Sequence, residues 1–310
     1  MKVKVLGSAA GGGFPQWNCG CSNCSRLRRG VFRGKARTQA QLAVSPDDAT
    51  WFLLNTSPDL RQQFLAHPEF APSEKSRNTP VAAIVLTSAD VDCVLGLLHL
   101  REFQPLRIYS TLAVKRALTE ENRLFQTLTR SNPPVRWEPL PLDRLVPLFQ
   151  PAGPVKKTSL FCKAVSLNGA YPDYLSDALR RALSEDEAVI ALQLVQSEKS
   201  FFYAPSLPGC GEDWKRRVSE SHLALLDGTF WTDDELPKVQ SGSKTARQMG
   251  HLPVSGSSGL LDQLKLVRNP RRVLIHLNNT NPILDEESDA HRAVRDAGWE
   301  VAYDGMEFAL

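Results

Sequence analysis

The sequence predicts a single α/β domain over residues 1–310, with β-sheets covered by helices. Three observations carry this. Short β-branched and aliphatic runs alternate with stretches of helical periodicity from one end of the chain to the other. No internal repeat or low-complexity tract interrupts them. Hydrophobic residues make up 42% of the 310 and charged residues 23%, enough apolar material for a sizeable core.

The opening M-K-V-K-V-L-G reads as a strand, Lys2–Leu6, and lacks the long apolar stretch of a secretory signal. Further strands are expected at Gln41–Val44, Trp51–Asn55, Val81–Leu86 and Arg107–Ser110. A second group follows at Phe161–Ser166, Val189–Leu194, Phe201–Tyr203, Leu223–Leu226 and Val273–His276. Ser57 is a candidate N-cap for a helix over Pro58–His67, and Leu112–Asn122 has helical apolar spacing. A helix over Glu286–Ala297 ends at Gly298, a residue suited to the left-handed position after a helix. The prolines of Asn132–Pro154 point to loops and edge structure. Trp299–Leu310 returns to strand composition around a Tyr303-Asp304-Gly305 turn.

With 37 basic and 34 acidic residues the net charge is +3, which predicts neither a nucleic-acid nor a membrane-surface partner. Charges interrupt every apolar stretch before the roughly 18 residues a membrane span needs. A cytoplasmic location is expected. The basic stretch Arg26-Leu27-Arg28-Arg29, with Arg33, Lys35 and Arg37, reads as a solvated loop or as a guide for an anionic ligand.

Three of the six cysteines crowd into Cys19-Gly20-Cys21-Ser22-Asn23-Cys24. In a reducing compartment such crowding points to metal before disulfides. A short loop with C-x-C-x-x-C spacing can turn three sulfurs toward one point, and soft thiolates select zinc over magnesium or calcium. Gly11-Gly12-Gly13 gives the preceding chain its freedom to turn tightly. Three thiolates leave a fourth position: closed by a protein ligand the site is structural, open it is catalytic. Asp227 closes the apolar run Leu223–Leu226 and so sits at a strand end, where site residues of layered α/β folds gather. His67, His99, His222 and His291 lie in helical or surface-like contexts and carry no assigned role, and Cys162 and Cys210 read as structural.

The strand Val81–Leu86 and Thr87 run into Ser88-Ala89-Asp90-Val91-Asp92-Cys93, which resembles a degraded H-x-H-x-D-H signature of metallo-β-lactamase-fold hydrolases. Ser88 and Asp90 stand in the first two histidine positions, Asp92 matches the aspartate, and Cys93 replaces the last histidine. Longer motifs narrow the resemblance: G-S-A-A-G-G-G-F-P-Q-W-N-C at Gly7–Cys19, N-T-S-P-D-L-R-Q-Q at Asn55–Gln63, and D-G-T-F-W-T-D-D-E at Asp227–Glu235. M-G-H-L-P-V-S-G at Met249–Gly256 and I-H-L-N-N-T-N-P at Ile275–Pro282 complete the set. Together they resemble the coenzyme PQQ biosynthesis protein B family over nearly the whole chain.

The resemblance implies a metallo-β-lactamase-like αββα sandwich, two mixed β-sheets with helices on the outer faces. It implies a structural zinc at Cys19, Cys21 and Cys24, with Asn279 at the position of a histidine ligand in related phosphodiesterases. It also implies one cleft for Ser88, Asp90, Asp92, Cys93, Asp227, His251 and His276. There Asp92, His251 and His276 are the candidate catalytic residues, Ser88, Asp90, Cys93 and Asp227 the candidate substrate contacts, and Asp92, Cys93 and His276 a candidate second metal set. One carboxylate and two imidazoles can hold a single Fe(II) with positions open for oxygen and substrate.

Three functions follow for comparison. The first is an iron- and oxygen-dependent hydroxylase acting on a precursor of pyrroloquinoline quinone (PQQ) derived from crosslinked glutamate and tyrosine. The second is a non-catalytic carrier of the quinone or its precursor that aids its transport to the periplasm. The third, a zinc hydrolase, lacks most of the ligands such enzymes use. In either of the first two roles, other PQQ-pathway proteins are expected partners.

Overall fold

Two mixed seven-stranded β-sheets with helices form in the computed structural model, which describes residues 1–101, 106–130, 135–149, 157–267 and 269–310. The strands are β1 (Lys2–Gly7), β2 (Gln41–Ser45), β3 (Trp51–Leu54), β4 (Val81–Val85), β5 (Arg107–Ser110), β6 (Arg136–Pro139) and β7 (Leu145–Phe149). They continue with β8 (Lys157–Ser166), β9 (Ile190–Gln196), β10 (Lys199–Ala204), β11 (Leu223–Asp227), β12 (Arg271–Ile275), β13 (Glu300–Val301) and β14 (Glu307–Ala309). Each run expected as a strand lies on one of them. The central strands read as unbroken apolar runs because both faces are covered. Every residue of β3, β4 and β11 is buried, and none exposes a solvent face that would show a period of two.

The chain divides into two compact units, each assembled from separated stretches. The first comprises Met1–Leu6, Gln41–Lys199 and Glu307–Leu310. It holds the sheet ordered β14-β1-β2-β3-β4-β5-β6, parallel from β3 to β6, and the antiparallel set β7-β8-β9. The second unit comprises Gly7–Ala40 and Ser200–Met306 and holds the parallel set β10-β11-β12-β13. Parallel strands bring their carboxyl ends out on one edge, where layered folds place their ligands. Both clusters of metal-binding side chains described below belong to this second unit.

Among the described helices are α1 (Ser22–Arg28), α2 (Leu60–Ala66), α3 (Val91–Val94), α4 (Leu112–Thr119) and α5 (Asp177–Ala182). The others are α6 (Glu212–Ser219), α7 (Glu235–Val239), α8 (Leu260–Gln263) and α9 (Asp289–Asp296). The Thr111 hydroxyl caps α4 by accepting from Val114 N, and the Ser288 hydroxyl caps α9 by accepting from His291 N. Gly298 follows α9 at φ 76°, as expected, and Gly305 turns the chain at φ 90° into β14.

Several expectations are corrected. Ser57 does not cap α2: Asp59 holds that position, and the Ser57 hydroxyl, two residues earlier, accepts from Asp59 N. The cysteine segment is not a plain loop, because α1 begins inside it. The edge structure expected in the proline-rich stretch is found: residues 135–149 contain β6 and β7, each the end strand of its sheet, while 132–134 and 150–154 lie outside the described residues. The basic stretch is not simply solvated. Arg26 pairs with Asp285 at 2.6 Å, and Arg37 is buried, donating to the Ser8 hydroxyl and the Ala302 carbonyl. No helix of the described residues is long and apolar enough to cross a membrane.

Candidate metal centres

The three thiols converge because the backbone folds around them. Cys21 caps α1, its sulfur accepting from Cys24 N at 3.5 Å, and Cys19 Sγ accepts from Cys21 N at 3.4 Å. All three sulfurs lie within 4.8 Å of one another. Backbone amides aimed at sulfur favour its ionised form, whereas burial opposes it. The balance differs along the cluster. For Cys19, burial pushes the thiol up, but the amide and neighbouring hydrogen bonds outweigh it and the net shift is downward. For buried Cys24, burial wins and pushes the value to about 11.

Asn279 occupies the fourth position. Its Nδ2 lies 3.1 Å from Cys19 Sγ, 3.4 Å from Cys24 Sγ and 3.6 Å from Cys21 Sγ. The amide thus faces all three sulfurs, its two protons shared among them, and a half-turn would present Oδ1 to the same point. Three soft donors and one amide oxygen fit zinc, so the residues present suit the ion the cysteine spacing implies.

The second cluster is Asp227, His251 and His276, whose ligand atoms also lie within 4.8 Å of one another. The sheet register builds half of it. β11 and β12 run parallel with Asp227 opposite Ile275, so His276, one residue further, emerges beside the carboxylate. The turn between Asp227 and Thr229 requires glycine, because a Cβ on Gly228 would stand 2.8 Å from Leu277 Cδ2 and 2.9 Å from Leu274 Cβ. His276 itself adopts a left-handed backbone at φ 61°, a conformation that costs a side-chain-bearing residue about 1–3 kcal/mol and concentrates at functional sites. His251 arrives from the loop after Gly250, its N–H bonded to the Ala246 carbonyl.

Asp227 is fully buried. Its Oδ2 accepts from Leu207 N and faces His251 Nδ1, both at 2.8 Å. Its Oδ1 accepts from Thr229 N at 3.0 Å and Thr229 Oγ1 at 2.6 Å. Burial alone would raise this carboxyl, but His251, His276 and Thr229 together hold it below its ordinary value. The two imidazoles stack with centroids 5.4 Å apart and planes 22° from parallel.

One segment serves both clusters, since His276 and Asn279 lie three positions apart on the run Ile275–Asn281. Asn281 fastens it to the Asp227 turn, its Nδ2 donating to the carbonyls of Gly228 and Thr229 at 2.9 and 3.2 Å. Asn23 on α1 donates to the carbonyls of Asn279 and Asn281 at 3.1 and 3.0 Å. Glu235, at the start of α7, accepts from the Thr280 hydroxyl and from Trp231 N, each at 2.6 Å.

Burial pushes the Glu235 carboxyl from its ordinary 4.5 to about 7, against the pull of those donors. The folded chain therefore holds a proton there that the unfolded chain releases between these two values. Stability contributed by this group is full at acid pH and falls as pH rises from about 4.5 through 7, by at most about 3 kcal/mol. Melting curves at pH 5 and pH 8 should show a smaller loss for Glu235→Gln than for the wild type. Equal losses would contradict this sign.

The remaining candidates belong to the first unit and to neither cluster. Ser88 Oγ donates to Asp90 Oδ2 at 2.8 Å, and Asp92 and Cys93 lie in the first turn of α3. Burial, reinforced by the carboxylates of Asp92 and Asp90, raises the Cys93 thiol well above its ordinary range and keeps it protonated. Asn55 and Thr87 clasp each other at 2.8–2.9 Å, and Thr56 N donates to the Cys93 carbonyl at 2.7 Å. Gly96 allows this close approach, since a Cβ there would stand 2.4 Å from the Ser57 carbonyl. Beside α3 lies a mostly apolar cavity of about 410 Å³, lined by Val91, Val94, Leu95, Phe125, Tyr174 and Leu175 among others.

Sequence reasoning passed over Thr229, Glu235, Asn55 and Asn281. All four lie within or at the ends of the long motifs quoted above, but as short polar or acidic residues beside turns they give no periodic signal.

Residues 50–277 match the Beta-lactamase superfamily domain. The chain is 43% identical over 315 residues to coenzyme PQQ synthesis protein B of Azoarcus sp. (strain BH72), and 40% identical over 310 residues to that of Methylobacterium sp. (strain 4-46). Each comparison covers 100% of both chains. The crystal structure of Zn(2+)-bound PqqB from Methylobacterium extorquens superposes with a TM-score of 0.90 at 39% identity, again over 100% of both chains.

Proposed function

We propose, since the chain belongs to the coenzyme PQQ synthesis protein B family, that its second unit carries a metal-dependent oxygenase centre for a precursor of PQQ. The observation that carries this reading is the Asp227–His251–His276 cluster: two imidazoles and one buried carboxylate on the edge of a parallel sheet. His251 and His276 would hold a single ferrous ion. Asp227, in contact with one ring and one hydroxyl away from the other, would supply the compensating negative charge. Bound there, the ion would supply the one-electron chemistry with dioxygen that amino-acid side chains lack. The chain's own part is to hold the rings parallel and to keep the carboxylate charged in a dry setting.

The precursor is taken to be the crosslinked glutamate–tyrosine derivative. Cys93 is a neutral thiol in this reading. Cys19, Cys21, Cys24 and Asn279 would hold the structural zinc, consistent with the zinc-bound relative. Free thiols in this number suit a cytoplasmic site of action.

A carrier role is favoured by one feature, the apolar cavity beside α3, whose volume suits a small aromatic ligand. The two readings separate by experiment. The protein is loaded anaerobically with iron(II), its metals are counted, and it is mixed with precursor and oxygen for one turnover. Zinc plus one iron with oxygen-dependent product is the expected result. Zinc alone, with tight ligand binding and no product, would overturn the oxygenase reading in favour of the carrier.

A further inference from the structure

We infer that Thr229 is a positioning residue whose hydroxyl fixes His276 in the tautomer protonated at Nδ1, leaving the coordinating lone pair on Nε2. Oγ1 of Thr229 has three neighbours at hydrogen-bond distance: Asp227 Oδ1 at 2.6 Å, the His276 carbonyl oxygen at 2.8 Å and His276 Nδ1 at 2.8 Å. A hydroxyl has one proton and two lone pairs. A carboxylate oxygen and a carbonyl oxygen can only accept. The single hydroxyl proton goes to one of them, and the carboxylate is both nearer and charged. The third neighbour must then donate. If Nδ1 were bare, three acceptors would share one proton, leaving two lone-pair contacts at 2.8 Å or less.

The carboxylate end of this relay cannot swing away, because Leu207 N and Thr229 N pin its two oxygens from the backbone. His276 is held by its left-handed backbone and by its neighbours' backbone bonds, Leu277 N donating to the Ser8 carbonyl and Asn278 N to the Thr229 carbonyl. The same reasoning places a proton on His251 Nδ1, which faces Asp227 Oδ2 directly. One buried carboxylate thus orders both rings, one at first hand and one through Thr229. Their lone pairs both fall on Nε2, in rings stacked nearly parallel. Groups standing behind metal-binding histidines in this way set ring orientation and basicity, and losing one typically costs 10–100-fold in metal affinity.

The tautomer assignment stands on hydrogen-bond geometry alone, while its effect on metal affinity rests on the proposed centre. Both are tested with the full chain labelled with 15N-histidine. Long-range 1H–15N spectra of the iron-free protein at pH 8.5 should show His251 and His276 as Nδ1–H tautomers. Thr229→Val should shift His276 alone toward the Nε2–H form and weaken anaerobic iron(II) binding roughly 10–100-fold. Thr229→Ser, which restores the hydroxyl, should recover both signals. A wild-type His276 protonated at Nε2 would overturn the inference without reference to any variant, and so would an unchanged tautomer in a folded Thr229→Val protein. A shifted tautomer with unchanged iron affinity would instead leave Thr229 as assigned and count against the metal-centre reading.

Discussion

Cys21→Ser is expected to lower zinc content and melting temperature together. Cys21 has two duties: its sulfur is one of three that converge, and it caps α1 by accepting from Cys24 N. Serine can keep the cap, since its hydroxyl is a good N-cap acceptor. It cannot supply a thiolate. The loss therefore reports on metal rather than on the helix start. A ligand present at about 100 times its dissociation constant stabilises the folded state by about 2.7 kcal/mol, and a structural zinc exceeds that ratio easily. For a chain of this size the fall should be at least about 5 °C, measured by calorimetry beside metal analysis. Chelation of the wild type should reproduce most of the fall, and Cys21→Ser should then be insensitive to chelator. A variant with full zinc and an unchanged transition would end the assignment.

His276→Ala is expected to abolish cofactor production in a complemented deletion strain and to weaken iron(II) binding at least about 100-fold, with the fold intact. The fold should survive because the segment's attachments run through other residues. Asn278 N donates to the Thr229 carbonyl, Asn281 binds the Asp227 turn, and Leu277 exchanges backbone hydrogen bonds with Ser8 and Ala10. What the variant loses is one of two stacked imidazoles and the partner of the Thr229 hydroxyl. Asp92→Ala is expected to abolish production as well, because the carboxylate in the first turn of α3 matches the one aspartate the degraded motif retains. It should leave iron binding by the second unit unchanged. Normal production by both variants would refute the placement of the working site.

Much of the fold was legible because buried parallel strands announce themselves as apolar runs. Val81–Val85 and Leu223–Leu226 needed no knowledge of their neighbours. The elements whose bounds were not read share a different physics. β6 and β7 contain Pro139 and Pro147 and are partly exposed, so neither apolar continuity nor alternation marks them. α1 spans seven residues and is capped by a cysteine sulfur, which no capping rule would select. The candidate sites divide in the same way. The cysteine spacing is local and could be read directly. The pairing of Asp227 with His276 depends on the register of β11 and β12, and the part played by Thr229 depends on three contacts around a single oxygen. Asn279 was reached only through family resemblance, because nothing in the composition of Leu277–Pro282 distinguishes it from the asparagines on either side.

The run from Ile275 to Asn281 imposes a rule of length. His276 and Asn279 belong to different clusters, and the three peptide steps between them span at most roughly 11 Å when fully extended. Both ends are anchored, one by the left-handed turn at His276 and the other by Asn23 and Asn281. An inserted residue would have to bulge out or pull one donor off its centre, and a deleted residue would leave one donor short. The segment works as a fixed ruler. What it fixes is the count of residues between the two donors, so an engineer grafting either centre onto another scaffold would have to carry the other end with it.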